Sequence, residues 1–192
     1  IINSNDGQKV PTATFISIVE QYNQSIDFDK MVIEKVIKDI YEKDITHELL
    51  INLSAGSVSS SSFISWLENI INSNYKVASQ FVFSLNALNI FQNYQSFLDF
   101  TKTVQKLKSK VLVKRYDMKY LEISSLKDLK IDYIRLSSEY TNEISQNVKK
   151  QKFVTSLHTY CELSGIHLIA YNVEKEEDYV YITDTCIYAA SR

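Results

Sequence analysis

The feature that most constrains this chain is the stretch from Val111 to Leu136, VLVKRYDMKYLEISSLKDLKIDYIRL. An apolar strand at its start runs into a short helix-like segment, and Ile131 to Leu136 then reads as a second strand. Strand, crossover, strand is the repeating unit of a parallel α/β fold, because parallel neighbours need a connection that returns to the same end of the sheet. In such folds chemistry gathers at the C-terminal ends of the strands. Those ends are predicted at Lys114-Arg115-Tyr116-Asp117 and Arg135-Leu136-Ser137.

The rest of the chain repeats that alternation. Residues Ile1 to Val10 read as a loop with a turn at Asn5-Asp6-Gly7. Pro11 and Thr12 open a helix carrying Phe15, Ile16, Ile18 and Val19. A second helix, about Asp27 to Tyr41, shows an apolar stripe of Met31, Ile33, Val36, Ile37 and Ile40. Leu49 to Leu53 is a short strand, and the serine tract Ser57 to Ser62 is expected to cap a helix bearing Phe63, Trp66, Leu67, Ile70 and Ile71. A strand is predicted over Val77 to Leu85, then a helix lined by Phe97, Phe100, Val104 and Leu107. One long helix is predicted over about Glu139 to Ser164, ended by Gly165 in the left-handed conformation. Ile166 to Ala170 reads as a strand, Glu174 to about Thr183 as a helix, and Cys186 to Ala190 as a last apolar segment. The pattern predicts one α/β domain over 1–192 on a parallel sheet, open or closed into a barrel.

Composition narrows the function classes. A net charge of −2 gives no field to steer nucleic acid or an anionic membrane, so neither a nucleic-acid polymer nor a membrane contact is expected. No apolar run reaches the length of a membrane span. Cys161 and Cys186 are too few for a disulfide framework and are expected reduced and half-buried, as in a cytoplasmic domain. With 3 Gly and 1 Pro the chain lacks the loops that cradle phosphates. His47, His158 and His167 show no metal-ligand spacing, and no Walker loop, G-x-S-x-G or H-E-x-x-H is present. The 13 tyrosines are scattered and suggest no base-stacking platform.

Several segments together resemble a known family. Asn52-Leu53-Ser54, Phe81-Val82-Phe83-Ser84 and the gapless run from Lys114 to Tyr140 are similar to EAL domains, which are cyclic di-GMP phosphodiesterases on a modified TIM barrel. Where the family reads DDFGTG and then V-D-Y-x-K-I-D, this chain has Lys114-Arg115-Tyr116-Asp117-Met118-Lys119 and Ile131-Asp132-Tyr133-Ile134-Arg135-Leu136-Ser137. Ala170-Tyr171-Asn172-Val173-Glu174 stands where the family has AEGVE, and Ser191-Arg192 where its QGY begins. The resemblance implies an EAL-type β/α barrel that lacks, in this chain, its first strands (with the Glu-Ala-Leu signature) and its last strand. It also implies a bacterial, multidomain signalling protein, cytoplasmic or the cytoplasmic part of a membrane-anchored sensor.

The same resemblance assigns a site. The family holds two Mg²⁺ or Mn²⁺ ions with acidic residues and one asparagine, and a metal-bound water attacks the phosphodiester. Here Asn52 keeps the asparagine position, while acidic positions carry Ser84, Ala87, Lys114, Arg115, Ser137 and Tyr171; Arg135 replaces a lysine and Glu174 keeps a glutamate. Two cations in place of two carboxylates reverse the sign of the attraction for a divalent ion, so no metal and no catalytic residue are expected.

Each position also has a plainer reading. Asn52 could bond backbone groups at a strand end. Lys114 and Arg115 could be solvated charges, or could stand in for the metals by pairing with Glu174 or Asp117. Arg135 could grip a phosphate or form a structural ion pair, and Glu174 could help start the last helix. The reading that results is a catalytically inactive EAL-like module acting as a regulatory or interaction domain in cyclic di-GMP signalling, with a protein partner or a homodimer. The alternatives are a receptor that binds cyclic di-GMP without hydrolysis and an active phosphodiesterase.

Overall fold

A computed structural model describes residues 2–3, 9–185 and 187–190. The Asn5-Asp6-Gly7 turn, Cys186 and Ser191-Arg192 lie outside the described residues. A small antiparallel pair, β1 (Ile2–Asn3) and β2 (Lys9–Val10), precedes α1 (Thr12–Gln21) and α2 (Ser25–Glu42). Then come β3 (Leu49–Asn52), α3 (Ala55–Ser59), α4 (Ser61–Ser73), β4 (Phe81–Asn86), α5 (Ala87–Gln92), α6 (Tyr94–Lys106) and β5 (Lys110–Tyr116). The chain continues through β6 (Tyr133–Leu136), α7 (Ser138–Thr141), α8 (Val148–Leu163), β7 (His167–Ala170), α9 (Glu176–Asp184) and β8 (Ala189–Ala190).

Strands β3 to β8 form one sheet in chain order, every neighbouring pair parallel. A sheet in which each strand lies beside its successor, with helical crossovers between, is the wall of a β/α barrel. Among the described residues the wall is partial, with β3 and β8 at its edges.

Side-chain alternation separates the two faces. Phe81, Phe83, Leu85, Val111, Val113, Ile134, Leu136 and Leu168 join the main core under the helices. Val82, Leu112 and Tyr133 point the other way into a small separate cluster edged by Ile169. That inner layer is the floor on which the site stands. The aromatic centre of the outer core is Phe83, stacked against Phe81 at 5.9 Å and edge-on to Phe100 at 6.1 Å.

Most helix ends follow the expected chemistry. Ser60 caps α4 by accepting the Phe63 N–H at 3.2 Å, as the serine tract implied. The same tract also yields α3, unforeseen, capped by Ser54. Gly165 has φ +70 directly after α8, the left-handed stop expected of it.

Several expectations are corrected. The strand placed at Val77 begins at Phe81, because Tyr75–Gln80 is a 3₁₀ helix that buries Val77 and Ala78 and has the Ala78 carbonyl bonded by the Ser109 hydroxyl at 2.8 Å. A short apolar run carries no period that tells the two forms apart. The single helix over Glu139 to Ser164 is three pieces: α7, a 3₁₀ turn at Ile144–Gln146, and α8 capped by Asn147. The break is built by Glu143 at φ 60 and by Asp178 of α9, whose carboxylate accepts the N–H of Glu143 at 2.7 Å and of Ser145 at 2.8 Å.

The stripe of α2 is Asp29, Ile33, Ile37 and Ile40, and Met31 is 56% exposed instead of inward. Cys161 is fully buried, not half-buried, where α8 packs on the sheet. The last helix starts at Glu176, so Glu174 stands before it rather than in its first turn.

Candidate functional site at the C-terminal strand ends

The decisive local feature is a β-bulge in β5. Val113 is paired with Ile134 and Tyr116 with Leu136. Two residues of β5, Lys114 and Arg115, therefore oppose the single residue Arg135 of β6. The extra residue is accommodated by Arg115 at φ 52, in the left-handed region. Without the bulge, consecutive residues would face opposite sides of the sheet; with it, Lys114 and Arg115 both line one cleft. Sequence reasoning did not foresee this device, since neither residue is a glycine.

That cleft, about 560 Å³, lies between α1, α2 and the ends of β3, β4 and β5. One wall is apolar, with Ile16, Val19, Phe28 and Val32, and the polar end holds Asn52, Asn86, Asn89, Lys114 and Arg115. The Lys114 ammonium donates to Oδ1 of Asn52 at 2.7 Å, spanning the intervening strand. Asn52 thus accepts from a side chain and not from backbone at the strand end. Burial lowers the pKa of Lys114, as do the charges of Arg135 and Arg115, against a smaller opposing pull from Asp29.

Arg135 forms no ion pair among the described residues. Its guanidinium lies over the Tyr171 ring, 4.4 Å from the centroid. Burial and the charge of Arg115 lower its pKa, against a raising effect of Tyr171. Among the described residues no carboxylate lies within 4.0 Å of Lys114, Arg115 or Arg135. The proposed pairing of the basic residues with Glu174 or Asp117 is therefore not made. Asp117 takes Lys119 instead, at 2.8 Å, together with the Tyr140 hydroxyl at 3.2 Å. Burial works against that carboxylate, but these bonds outweigh it and its pKa falls below the ordinary range. Glu174 is exposed and accepts from Asn172 at 3.4 Å.

The remaining positions are neutral. Ser84, the register partner of Asn52, is fully buried on the inner face, and its hydroxyl has no hydrogen-bond partner among the described residues. Ala87 is buried at the start of α5. Ser137 caps α7 by accepting the Glu139 N–H at 3.4 Å. No group of three or more His, Cys, Asp or Glu side chains is gathered for a metal among the described residues.

One residue at this rim was missed. Asp29 of α2 is buried and accepts from the Ser54 N–H at 2.8 Å and the Ser57 hydroxyl at 2.7 Å, fixing the loop after β3. Burial raises its pKa, against those bonds and the charge of Lys114. The signal was available: an aspartate one turn before Ile33, on the apolar stripe of a helix, needs buried partners.

The fold defines a β/α-barrel-type domain, with the candidate site at the C-terminal strand ends. The family model for the EAL domain matches residues 2–187, and the chain belongs to that family. The chain is 22% identical over 178 residues to the cyclic di-GMP phosphodiesterase PdeB of Shewanella oneidensis, covering 89% of this chain and 20% of that protein. It superposes on the apo S helix-GGDEF-EAL fragment of Vibrio cholerae LapD with TM-score 0.83 and 25% identity, covering 96% of this chain and 45% of that one. The fold is also that of the Pseudomonas aeruginosa FimX EAL domain bound to c-di-GMP: TM-score 0.86, 18% identity, 97% of this chain and 76% of that one. The chain thus spans about a fifth of PdeB and under half of the LapD fragment. No helix among the described residues is long and apolar enough to cross a membrane.

Proposed function

We propose that this EAL domain serves cyclic di-GMP signalling without hydrolysing the dinucleotide, as a regulatory or interaction module that engages a protein partner or a second copy of itself in the cytoplasm. The observation that carries the reading is the Lys114 ammonium bonded to Asn52, with Arg115 and Arg135 beside it. Hard divalent ions need several oxygen ligands, mostly anionic. Where the family resemblance places a pair of aspartates, this rim presents two cations, and the amide oxygen it retains is engaged by one of them. A unit charge pair at about 4 Å and an effective dielectric near 20 is worth roughly 4 kcal/mol, and a divalent ion doubles it. Both contributions are repulsive here, so the residues present do not fit the metal pair.

A hydrolysis assay of the full-length protein with Mg²⁺ or Mn²⁺ tests this. No turnover is expected, and metal-dependent release of linear dinucleotide would overturn the reading.

A second reading, a receptor that binds cyclic di-GMP intact, is favoured by the guanidinium of Arg135 lying over the Tyr171 ring at the rim and by the FimX EAL fold, which is described in complex with c-di-GMP. Calorimetry with the dinucleotide separates the two, a silent titration favouring the first.

A further inference from the structure

We infer that the rung formed by Lys114, Arg115 and Arg135 is a metal-free site for a phosphate-class dianion, taking the terminal monoester of a small phosphorylated molecule in preference to a phosphodiester. This rests on the reading above, in which no divalent ion occupies the rim.

The argument starts from backbone geometry. The bulge sets two residues of β5 against one of β6, and all three are cationic. Like charges placed opposite one another across a sheet are destabilising. Among the described residues no carboxylate is paired with any of the three. Asp29, the acidic group nearest in effect to Lys114, has its carboxylate engaged by Ser54 and Ser57. Glu20 borders the cleft from the exposed side of α1. Arg115 is moreover held left-handed, a conformation that costs a residue with a Cβ roughly 1–2 kcal/mol. A rung that is strained and has no carboxylate paired with it is where a bound counter-ion is expected.

A neutral donor stands beside the cations. The Asn52 oxygen takes the Lys114 ammonium, which leaves the amide nitrogen of Asn52 as that donor. The Arg135 guanidinium lies over the Tyr171 ring, and its planar fork suits two oxygens of one anion.

The preference for a monoester follows from charge and acceptor count. A monoester carries about −1.5 to −2 at neutral pH and offers three strong acceptor oxygens. A diester carries one charge and offers two such oxygens. Three cations and one neutral donor match the former better.

The test is a titration of the protein at about pH 8, where a monoester is fully ionised, with methyl phosphate and separately with dimethyl phosphate, followed by NMR or calorimetry. Methyl phosphate is expected to bind at least about tenfold more tightly, and to weaken steeply as salt rises from about 0.05 to about 0.3 M. Lys114→Gln and Arg135→Gln, made separately, are each expected to lower affinity about tenfold, with thermal melts confirming that both variants fold. Equal affinity for the two probes, no methyl phosphate binding up to about 10 mM, or folded variants that bind as the wild type does would overturn the inference. Any of these results in a protein that also fails to hydrolyse cyclic di-GMP leaves the earlier reading standing. Metal-dependent hydrolysis removes the earlier reading whatever the phosphate probes do.

Discussion

The ammonium of Lys114 and the amide oxygen of Asn52 meet at 2.7 Å, so the end of β5 is tied to the end of β3 across β4. A hydrogen bond of this kind contributes about 1 kcal/mol net. Against it stand the burial of the lysine and two nearby guanidinium groups, and the lowered pKa says that the surroundings on balance disfavour the charge.

Lys114→Met is therefore expected to raise stability, by about 0.5–1 kcal/mol in urea denaturation. The sign with pH follows. An amine whose folded pKa is depressed binds more protons when unfolded, so wild-type stability should climb with pH in the window just below the unfolded value of 10.5. Lys114→Met should lack that climb. A less stable variant, or an unchanged slope, would show that the bond to Asn52 dominates.

Arg115→Gly should stabilise the fold by about 1 kcal/mol, because glycine takes a positive φ freely and one charge leaves the crowded rung. Arg115→Ala removes the charge alone and separates the two effects. If both variants gain equally, backbone strain is not a factor; thermal melts decide.

Asp178 is buried and accepts three bonds from the α7–α8 connection: Glu143 N–H, Ser145 N–H and the Ser145 hydroxyl at 2.7 Å. Burial works against the charged form, but these bonds prevail and hold its pKa below the ordinary 3.8. Its contribution is present above that value and fades as pH falls through the folded pKa. Asp178→Asn should cost about 2–3 kcal/mol at neutral pH. The gap from wild type should close in acid below the usual carboxylate range, as read by acid unfolding at fixed urea. A gap that stays constant with pH would contradict the assignment.

Burial pushes the Cys161 thiol up to about 12. A thiol so protonated and fully enclosed should be inert to aromatic disulfide reagents in the native protein, measured in a Cys186→Ser background, and should react only as fast as the protein opens. Rapid labelling under native conditions would count against the buried placement.

Much of the architecture was legible because parallel strands buried on both faces read as unbroken apolar runs, as in Phe81 to Phe83 and Val111 to Val113. The rim positions were legible too, through the resemblance from Lys114 to Tyr140. Local chain reversals were not. Glu143 and Arg115 take positive φ without being glycine, and no turn residue in the sequence announces them. The bonds that break the helix after Thr141 come from Asp178, more than thirty residues away, and nothing local encodes that. Arg135 found an aromatic ring because Tyr171 follows the end of the neighbouring strand, a pairing visible only once β6 and β7 lie side by side.

The kink at Arg115 is written in main-chain torsion and strand pairing, and it owes nothing to the identity of the groups it displays. Such a socket can exchange what it grips, one substitution at a time, while the polypeptide around it stays folded. Ancestry and present chemistry can then diverge in the same molecule: the frame records the first, and only the side chains mounted on it report the second.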